Sequence, residues 1–156
     1  HNSILWFRES GADENFAVTA SLSVKLGSDS DPNGGFVISD GSSTICISIL
    51  NNGYRVYSAN DFDGRYQVRN VSGMANLLTG DVTITLKKQG ATYYLYADYP
   101  DNVTGEATKL IGSFGGTLTS TNNPAKSFTM PSGDVAVGLS FRTGATVTYY
   151  DMAYSA

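Results

Sequence analysis

Phe16-Ala17-Val18-Thr19-Ala20-Ser21-Leu22-Ser23-Val24-Lys25-Leu26 carries the strongest structural signal in the chain. Every second residue is apolar, and Thr19, Ser21, Ser23 and Lys25 stand between them. Successive side chains of an extended chain leave opposite faces, so this spacing predicts a strand with one face on a core and one in water. The same period returns at Val82, Ile84 and Leu86, which alternate with Thr83, Thr85 and Lys87.

Outward from that stretch, residues 29–35 are a turn-rich break and 35–38 a short strand. Segments 44–50 and 54–59 flank Asn51-Asn52-Gly53, which predicts a hairpin because Asn and Gly tolerate the positive φ of tight turns. A second hairpin turns at Gln89-Gly90 and returns through 92–99. Residues 65–71 and 110–114 read as strands, 73–78 as a loop or brief helical turn, and 117–131 as a polar connection. A last pair, Val135-Val137-Leu139-Phe141 and 146–154, is expected around Thr143-Gly144. No stretch carries helical periodicity. About ten to twelve short strands at regular spacing predict an all-β, two-sheet antiparallel β-sandwich forming one domain over residues 1–156.

Composition narrows the partners. With 10 Lys plus Arg against 14 Asp plus Glu, and no basic cluster, the chain lacks the positive footprint a nucleic-acid binder needs. No apolar run approaches the roughly 20 residues of a membrane helix, so no membrane insertion is expected. One cysteine, Cys46, excludes an intrachain disulfide and reads as a buried thiol. The chain opens on His1, which suggests a mature chain or a domain of a longer protein. The weakly acidic, disulfide-free, Tyr- and Thr-rich composition fits a secreted or cell-surface protein of bacterial type.

The order of the pieces resembles the concanavalin A-like lectin/glucanase superfamily, in particular the laminin-G-like jelly-roll modules of bacterial carbohydrate-active proteins. The likeness spans about residues 14–156. It rests on the long strand 16–26, on Gly34-Gly35-Phe36-Val37-Ile38 and on the 44–59 hairpin. It rests further on Val82-Thr83-Ile84-Thr85-Leu86-Lys87-Lys88-Gln89-Gly90 running into Tyr93-Tyr94-Leu95-Tyr96, and on Val137-Gly138-Leu139-Ser140-Phe141 before Tyr150-Asp151. The resemblance implies a jelly roll and a carbohydrate-linked role. It leaves open binding modules, glycosidases, lyases and protein-interaction domains, because one fold hosts many functions.

A glycosidase needs two carboxylates flanking the scissile bond. Glu9, Glu14 and Glu106 are the only glutamates, and the Glu-x-Asp-x-x-Glu run of one large family of the fold is missing. Asp98 has no partner carboxylate that the pattern assigns. With His1 as the only histidine, the lyase pattern and histidine-based triads or metal sites are not met either. The expectation is therefore a non-catalytic carbohydrate-binding module. A glycoside hydrolase or polysaccharide lyase is the first alternative, and a structural or protein-interaction domain of an adhesin the second.

The expected ligand residues are Tyr94, Tyr96 and Asp98, which share the face of their strand opposite Tyr93, Leu95 and Ala97, together with Arg142 and, in support, Tyr57 and Arg65. Rings at i and i+2 lie about 7 Å apart on a strand and can take the apolar face of a sugar, while Asp and Arg bind its hydroxyls. Ordinary half-buried strand formers would look the same. The expected module is monomeric and tethered to other domains, with a polysaccharide or glycan as its partner. Asp29-Ser30-Asp31-Pro32-Asn33-Gly34 matches the opening of a calcium loop, with Asp40 at its twelfth position. A polar turn and a structural calcium site held by Asp29, Asp31, Asn33 and Asp40 are the two readings, the second encouraged by the calcium that many modules of this superfamily carry. Trp6 reads as a packing residue, and Asn70 and Asn102 head glycosylation sequons.

Overall fold

The computed structural model describes residues 15–72, 74, 80–98, 109–142 and 144–155, and the backbone of 2–8. The expected alternation is realised. In β2 (Phe16–Leu26) Phe16, Val18, Ala20, Leu22 and Val24 are buried while Ala17, Thr19, Ser21 and Ser23 stay half-exposed. β7 (Gly80–Gln89) and β8 (Thr92–Asp98) repeat the pattern. Two antiparallel sheets result. The first, sheet A, runs β1 (Asn2–Arg8), β12 (Ala136–Arg142), β3 (Gly34–Ser39), β4 (Thr44–Ile49), β5 (Tyr54–Ser58) and β6 (Asp61–Val68) in that spatial order. The second, sheet B, runs β13 (Ala145–Ser155), β2, β7, β8 and β9 (Lys109–Gly115). A short hairpin of β10 (Thr117–Thr119) and β11 (Ser127–Thr129) stands beside them. The fold is an all-β, two-sheet antiparallel sandwich.

The core lies between the sheets. Phe36, Ile38, Ile45, Ile47, Ile49, Tyr54, Val56, Val137 and Leu139 come from sheet A, and Leu22, Ile84, Leu86, Tyr93, Leu95 and Phe114 from sheet B. Tyr54 and Tyr93 each stack on Phe114, and Tyr93 Oη donates to the Pro131 carbonyl at 2.7 Å. Tyr149 of β13 reaches across to donate to the carbonyls of Gly35 and Ser140, and its oxygen accepts from Gly35 N–H at 2.7 Å. Burial holds its pKa well above the usual range, so the phenol remains neutral.

Three expectations change. The Thr143-Gly144 region does not close a hairpin: β12 belongs to sheet A and β13 to sheet B, where β13 pairs with β2. The Gly144 carbonyl accepts from Gly27 and Asp29 N–H, which ties this crossing to the end of β2. The 44–59 hairpin is present, but Gly53 has an ordinary φ; a β-carbon there would strike the Val68 carbonyl of β6, so close backbone approach is what requires glycine. The 117–131 connection contains the β10–β11 hairpin. β1, which carries Trp6, has no counterpart among the expected strands; the side chain of Trp6 and residues 9–14, 75–79 and 99–108, with Glu9, Glu14, Asn102 and Glu106, lie outside the described residues.

Candidate functional site: an arginine cluster on the outer face of sheet A

The strand registers place Ser140, Gly35, Ser48, Arg55 and Gln67 in one row across β12, β3, β4, β5 and β6, on the face away from the core. The neighbouring row is Gly138, Val37, Cys46 and Tyr57. This face was expected to be wet, and it is not. Val37, Cys46, Tyr57, Ser48 and Ser140 are all fully buried, and Val37, Cys46 and Tyr57 form a second small apolar cluster against which Ala59 and Phe62 pack.

Phe62 reaches this face because the β5–β6 pairing is interrupted. Ser58 pairs with Asp61 and Val56 with Tyr66, so Phe62, Asp63, Gly64 and Arg65 bulge out of the ladder. The ring of Phe62 meets that of Tyr57 edge-on at 5.1 Å. Three guanidinium groups surround it: Arg142 at 4.2 Å, Arg65 at 4.5 Å and Arg55 at 5.0 Å from the ring centroid. Cations sit favourably against an aromatic face, but three of them also repel each other.

The cluster is held from two sides. From below, Arg55, only 6% exposed, donates through Nε to Gln67 at 2.9 Å and through Nη1 to Asn33 at 3.3 Å, with the Asp31 carboxylate 3.8 Å away. Burial, and then the neighbouring Arg142 and Arg65, push its pKa down to about 10 against the pull of Asp31; it stays charged at neutral pH. Asp31, itself buried, accepts both Nη groups of Arg69 at 2.8 and 2.7 Å and the N–H of Asn51 at 3.1 Å. Burial alone would raise the Asp31 pKa; the hydrogen bonds from Arg69 and Asn51 and the charges of Arg69 and Arg55 outweigh it and hold the carboxyl below the usual range. Asp29 takes Asn33 Nδ2 at 2.8 Å and Arg142 Nη1 at 3.3 Å.

From the side, the loop of the β10–β11 hairpin grips the bulge. Asn122 donates to the carbonyl and carboxylate of Asp63, Asn123 to its other oxygen at 2.9 Å, and Thr121 N–H and Ser120 Oγ to the Arg65 carbonyl. Lys126 bridges Asp61 at 3.0 Å and Asp63 at 3.4 Å. Arg65 Nη2 donates to Asn122 at 3.0 Å and Nη1 to the Phe62 carbonyl at 3.2 Å. The hydrogen bonds from Asn123 and Lys126 hold the Asp63 carboxyl below its ordinary range.

The expected site residues thus divide between opposite faces of the sandwich. Arg142 and Arg65 meet at Phe62. Tyr57 lies beneath them, fully buried, and burial raises its pKa to about 12; its ring is a wall of the cluster and cannot receive a sugar. Tyr94, Tyr96 and Asp98 project from the outer face of sheet B, half-exposed, beside Lys87, Thr85 and Thr83 of β7. That face is a ladder of small hydroxyls, with Thr19 bonded to Thr85 at 2.9 Å and Ser21 to Thr83 at 3.1 Å, and with Leu110 exposed next to Tyr96. Sequence spacing could not foresee the division, because which sheet a strand joins depends on pairing rather than on alternation. Phe62, Arg55 and Gln67 are absent from the expected site, and Asp31 and Asn33 enter it as cation ligands rather than counter-charges; the signal present is a buried-strand pattern interrupted by Arg55, which demands a counter-charge.

The structure does not bring the four residues of the calcium reading together. Asp29, Asp31 and Asn33 spend their oxygens on guanidinium groups, and Asp40 lies at the other end of β3, where it accepts Ser42 and Ser43 N–H at 2.8 and 2.7 Å. The four do not form one cage, and among the described residues no cluster of His, Cys, Asp and Glu has the makings of a metal site.

The chain matches no protein-family model and no curated protein sequence. Solved structures do resemble it. A functionally unknown protein from Saccharomyces cerevisiae is 12% identical with a TM-score of 0.53 over 94% of this chain and 72% of that one. The GH43 protein BlXynB of Bacillus licheniformis, a K247S mutant, is 12% identical with a TM-score of 0.50 over 90% of this chain, which spans 27% of that protein. The galectin LEC-6 of Caenorhabditis elegans is 12% identical with a TM-score of 0.47 over 100% of this chain and 90% of its own. At these identities the likeness is one of fold: a two-sheet β-sandwich that a protein of unknown function and part of a GH43 protein also adopt.

Proposed function

We propose that the chain is a non-catalytic carbohydrate-binding module and that its ligand sits on the rim of sheet A formed by Arg142, Arg65 and Phe62. The observation that carries this reading is a set of guanidinium forks whose positions are fixed before any ligand arrives. Arg55 is locked by Gln67, Asn33 and Asp31, while Arg65 and Arg142 are partly exposed above it. Donors held in place bind hydroxyl and oxyanion groups at a smaller entropic cost than free side chains do. The carboxyls of Asp31, Asp40 and Asp63 all lie below their ordinary range, which suits acceptors and counter-charges rather than the raised-pKa acid of a glycosidase. The resemblance of the strand order to carbohydrate-linked jelly rolls supports the same class, and in this reading the module is monomeric and tethered to other domains of an extracellular protein. One shallow site of this kind binds weakly, with a Kd on the order of 10⁻⁵ to 10⁻³ M, and gains strength by attachment to other domains.

A second location on the same molecule, the Tyr94–Tyr96 pair, is favoured by the exposure of both rings on sheet B. Affinity gel electrophoresis against a panel of neutral and acidic polysaccharides tests both. Retarded migration without release of oligosaccharide supports the module; released product supports an enzyme instead. Loss of retardation in Arg142→Ala places the ligand on sheet A, and loss only in Tyr94→Ala with Tyr96→Ala places it on sheet B. Unretarded migration on every polysaccharide overturns the proposal.

A further inference from the structure

The reading above leaves open what the arginines recognise. Three observations narrow it. First, Phe62 is surrounded by Arg55, Arg65 and Arg142, so its faces are already taken and it does not serve as a stacking platform for a pyranose. The chemistry left to a ligand at this rim is hydrogen bonding and charge. Second, the charges do not balance locally. Arg55, Arg65, Arg69, Arg142 and Lys126 meet Asp29, Asp31, Asp61 and Asp63, one cation more than the carboxylates, in a chain whose net charge is −4. Of the four arginines, Arg65 has no ion pair with a carboxylate among the described residues. Asp31 is engaged by Arg69 and Arg55, and Lys126 bridges Asp61 and Asp63. Third, Arg142 has a single side-chain hydrogen bond among the described residues, the 3.3 Å contact to Asp29, and Arg65 spends its Nη groups on a carbonyl and an amide oxygen, both uncharged. Their Nε and remaining N–H groups have no acceptor there. Both guanidinium carbons lie within 4.5 Å of one ring centroid, so the two forks flank the same side chain.

We infer that the Arg65–Arg142 rim binds an acidic glycan, through a carboxylate or sulfate group that the two guanidinium forks share above Phe62. This rests on the carbohydrate-binding reading and names its ligand class. An oxyanion between the forks relieves the repulsion among the three arginines and is bound by charge-assisted hydrogen bonds, which Arg makes in a planar, two-pronged geometry. A neutral hexose offers hydroxyls alone and leaves the charge surplus standing.

The test uses matched pairs of ligands on the full chain: polygalacturonate against its methyl ester, and dextran sulfate against dextran. The expected result is retardation by at least one charged member with affinity at least tenfold above its neutral counterpart, weakening as salt rises from 50 to 300 mM. Whichever charged member is retained distinguishes carboxylate from sulfate. Arg142→Gln and Arg65→Gln are each expected to lower that affinity about tenfold, whereas Lys87→Gln, on the opposite sheet, leaves it unchanged. Equal binding of charged and neutral members overturns the inference while leaving carbohydrate binding intact. Equal weakening by Lys87→Gln marks diffuse attraction to a polyanion and also overturns it. Retention of none of the four ligands by a correctly folded chain overturns this inference, and the wider polysaccharide panel then decides whether carbohydrate binding survives.

Discussion

The two outer faces of the sandwich solve different problems. On sheet B the outward residues are Thr19, Ser21, Thr83, Thr85, Tyr94, Tyr96 and Asp98, half-exposed and joined by hydroxyl contacts between strands. On sheet A the outward row is buried and carries charge: Arg55 lies beneath Phe62, and Asp31 of the loop before β3 lies beneath Arg69. A face that keeps its polar groups in water has little at stake in any one of them. A face that buries a guanidinium and a carboxylate must pair those charges, because an orphaned buried charge costs several kcal/mol. The same demand for satisfaction that makes sheet A fragile also fixes its arginines, and fixed arginines are what a shallow binding site needs.

The sharpest way to break the comparison is at Asp31. Asp31→Ala leaves Arg55 buried without its counter-charge and frees Arg69, and is expected to destabilise the fold by about 3 kcal/mol in urea denaturation. Unchanged stability would mean that the buried pair has no energetic weight. The acid limb of the stability curve reads the same carboxylate. Its pKa is lowered in the folded state, so its contribution is complete above the unfolded value of 3.8 and is lost as pH falls below that value through the folded one. Asp31→Asn should flatten this limb.

Phe62→Ala comes next. It removes a half-buried ring from against Tyr57 and from among three arginines, and about 2 kcal/mol of stability is expected to go with it, together with glycan retention. Tyr94→Ala and Tyr96→Ala, half-exposed on sheet B, are expected to cost about 1 kcal/mol or less each and to leave retention unchanged. Should these two lose retention while Phe62→Ala keeps it, the ligand belongs to sheet B. The smallest effect expected is that of Asn122→Ala, which loosens the grip on Arg65 and Asp63. Calorimetric titration should show weaker binding with little change in the unfolding midpoint.

Much of the architecture was legible in the alternation. The 16–26 and 82–98 patterns needed only a periodicity of two, and the burial of β2, β7 and β8 follows it position by position. Sheet assignment was not legible, because Val137-Leu139 and 146–154 would alternate in the same way as neighbours in one sheet or as strands of two. Arg142 and Arg65 were recognisable as candidates from residue type alone. Their meeting depends on a bulge at residues 62–65 and on a loop some 57 positions downstream, where Asn122 holds Arg65. Asp29-x-Asp31-x-Asn33 was read as ligands for a cation, and the cations it faces are arginines. The chemistry of the loop was visible in the sequence, but the partner was not.

The central claim is that the ligand meets sheet A at the Arg65–Arg142 rim. Titrating ¹⁵N-labelled protein with an acidic oligosaccharide, and following both backbone amides and arginine Nε–H signals, tests it most directly. Perturbations are expected only at Arg65, Arg142, Phe62 and their neighbours in 29–33 and 120–123. Perturbations centred on residues 92–98, with the arginine signals unmoved, would contradict it.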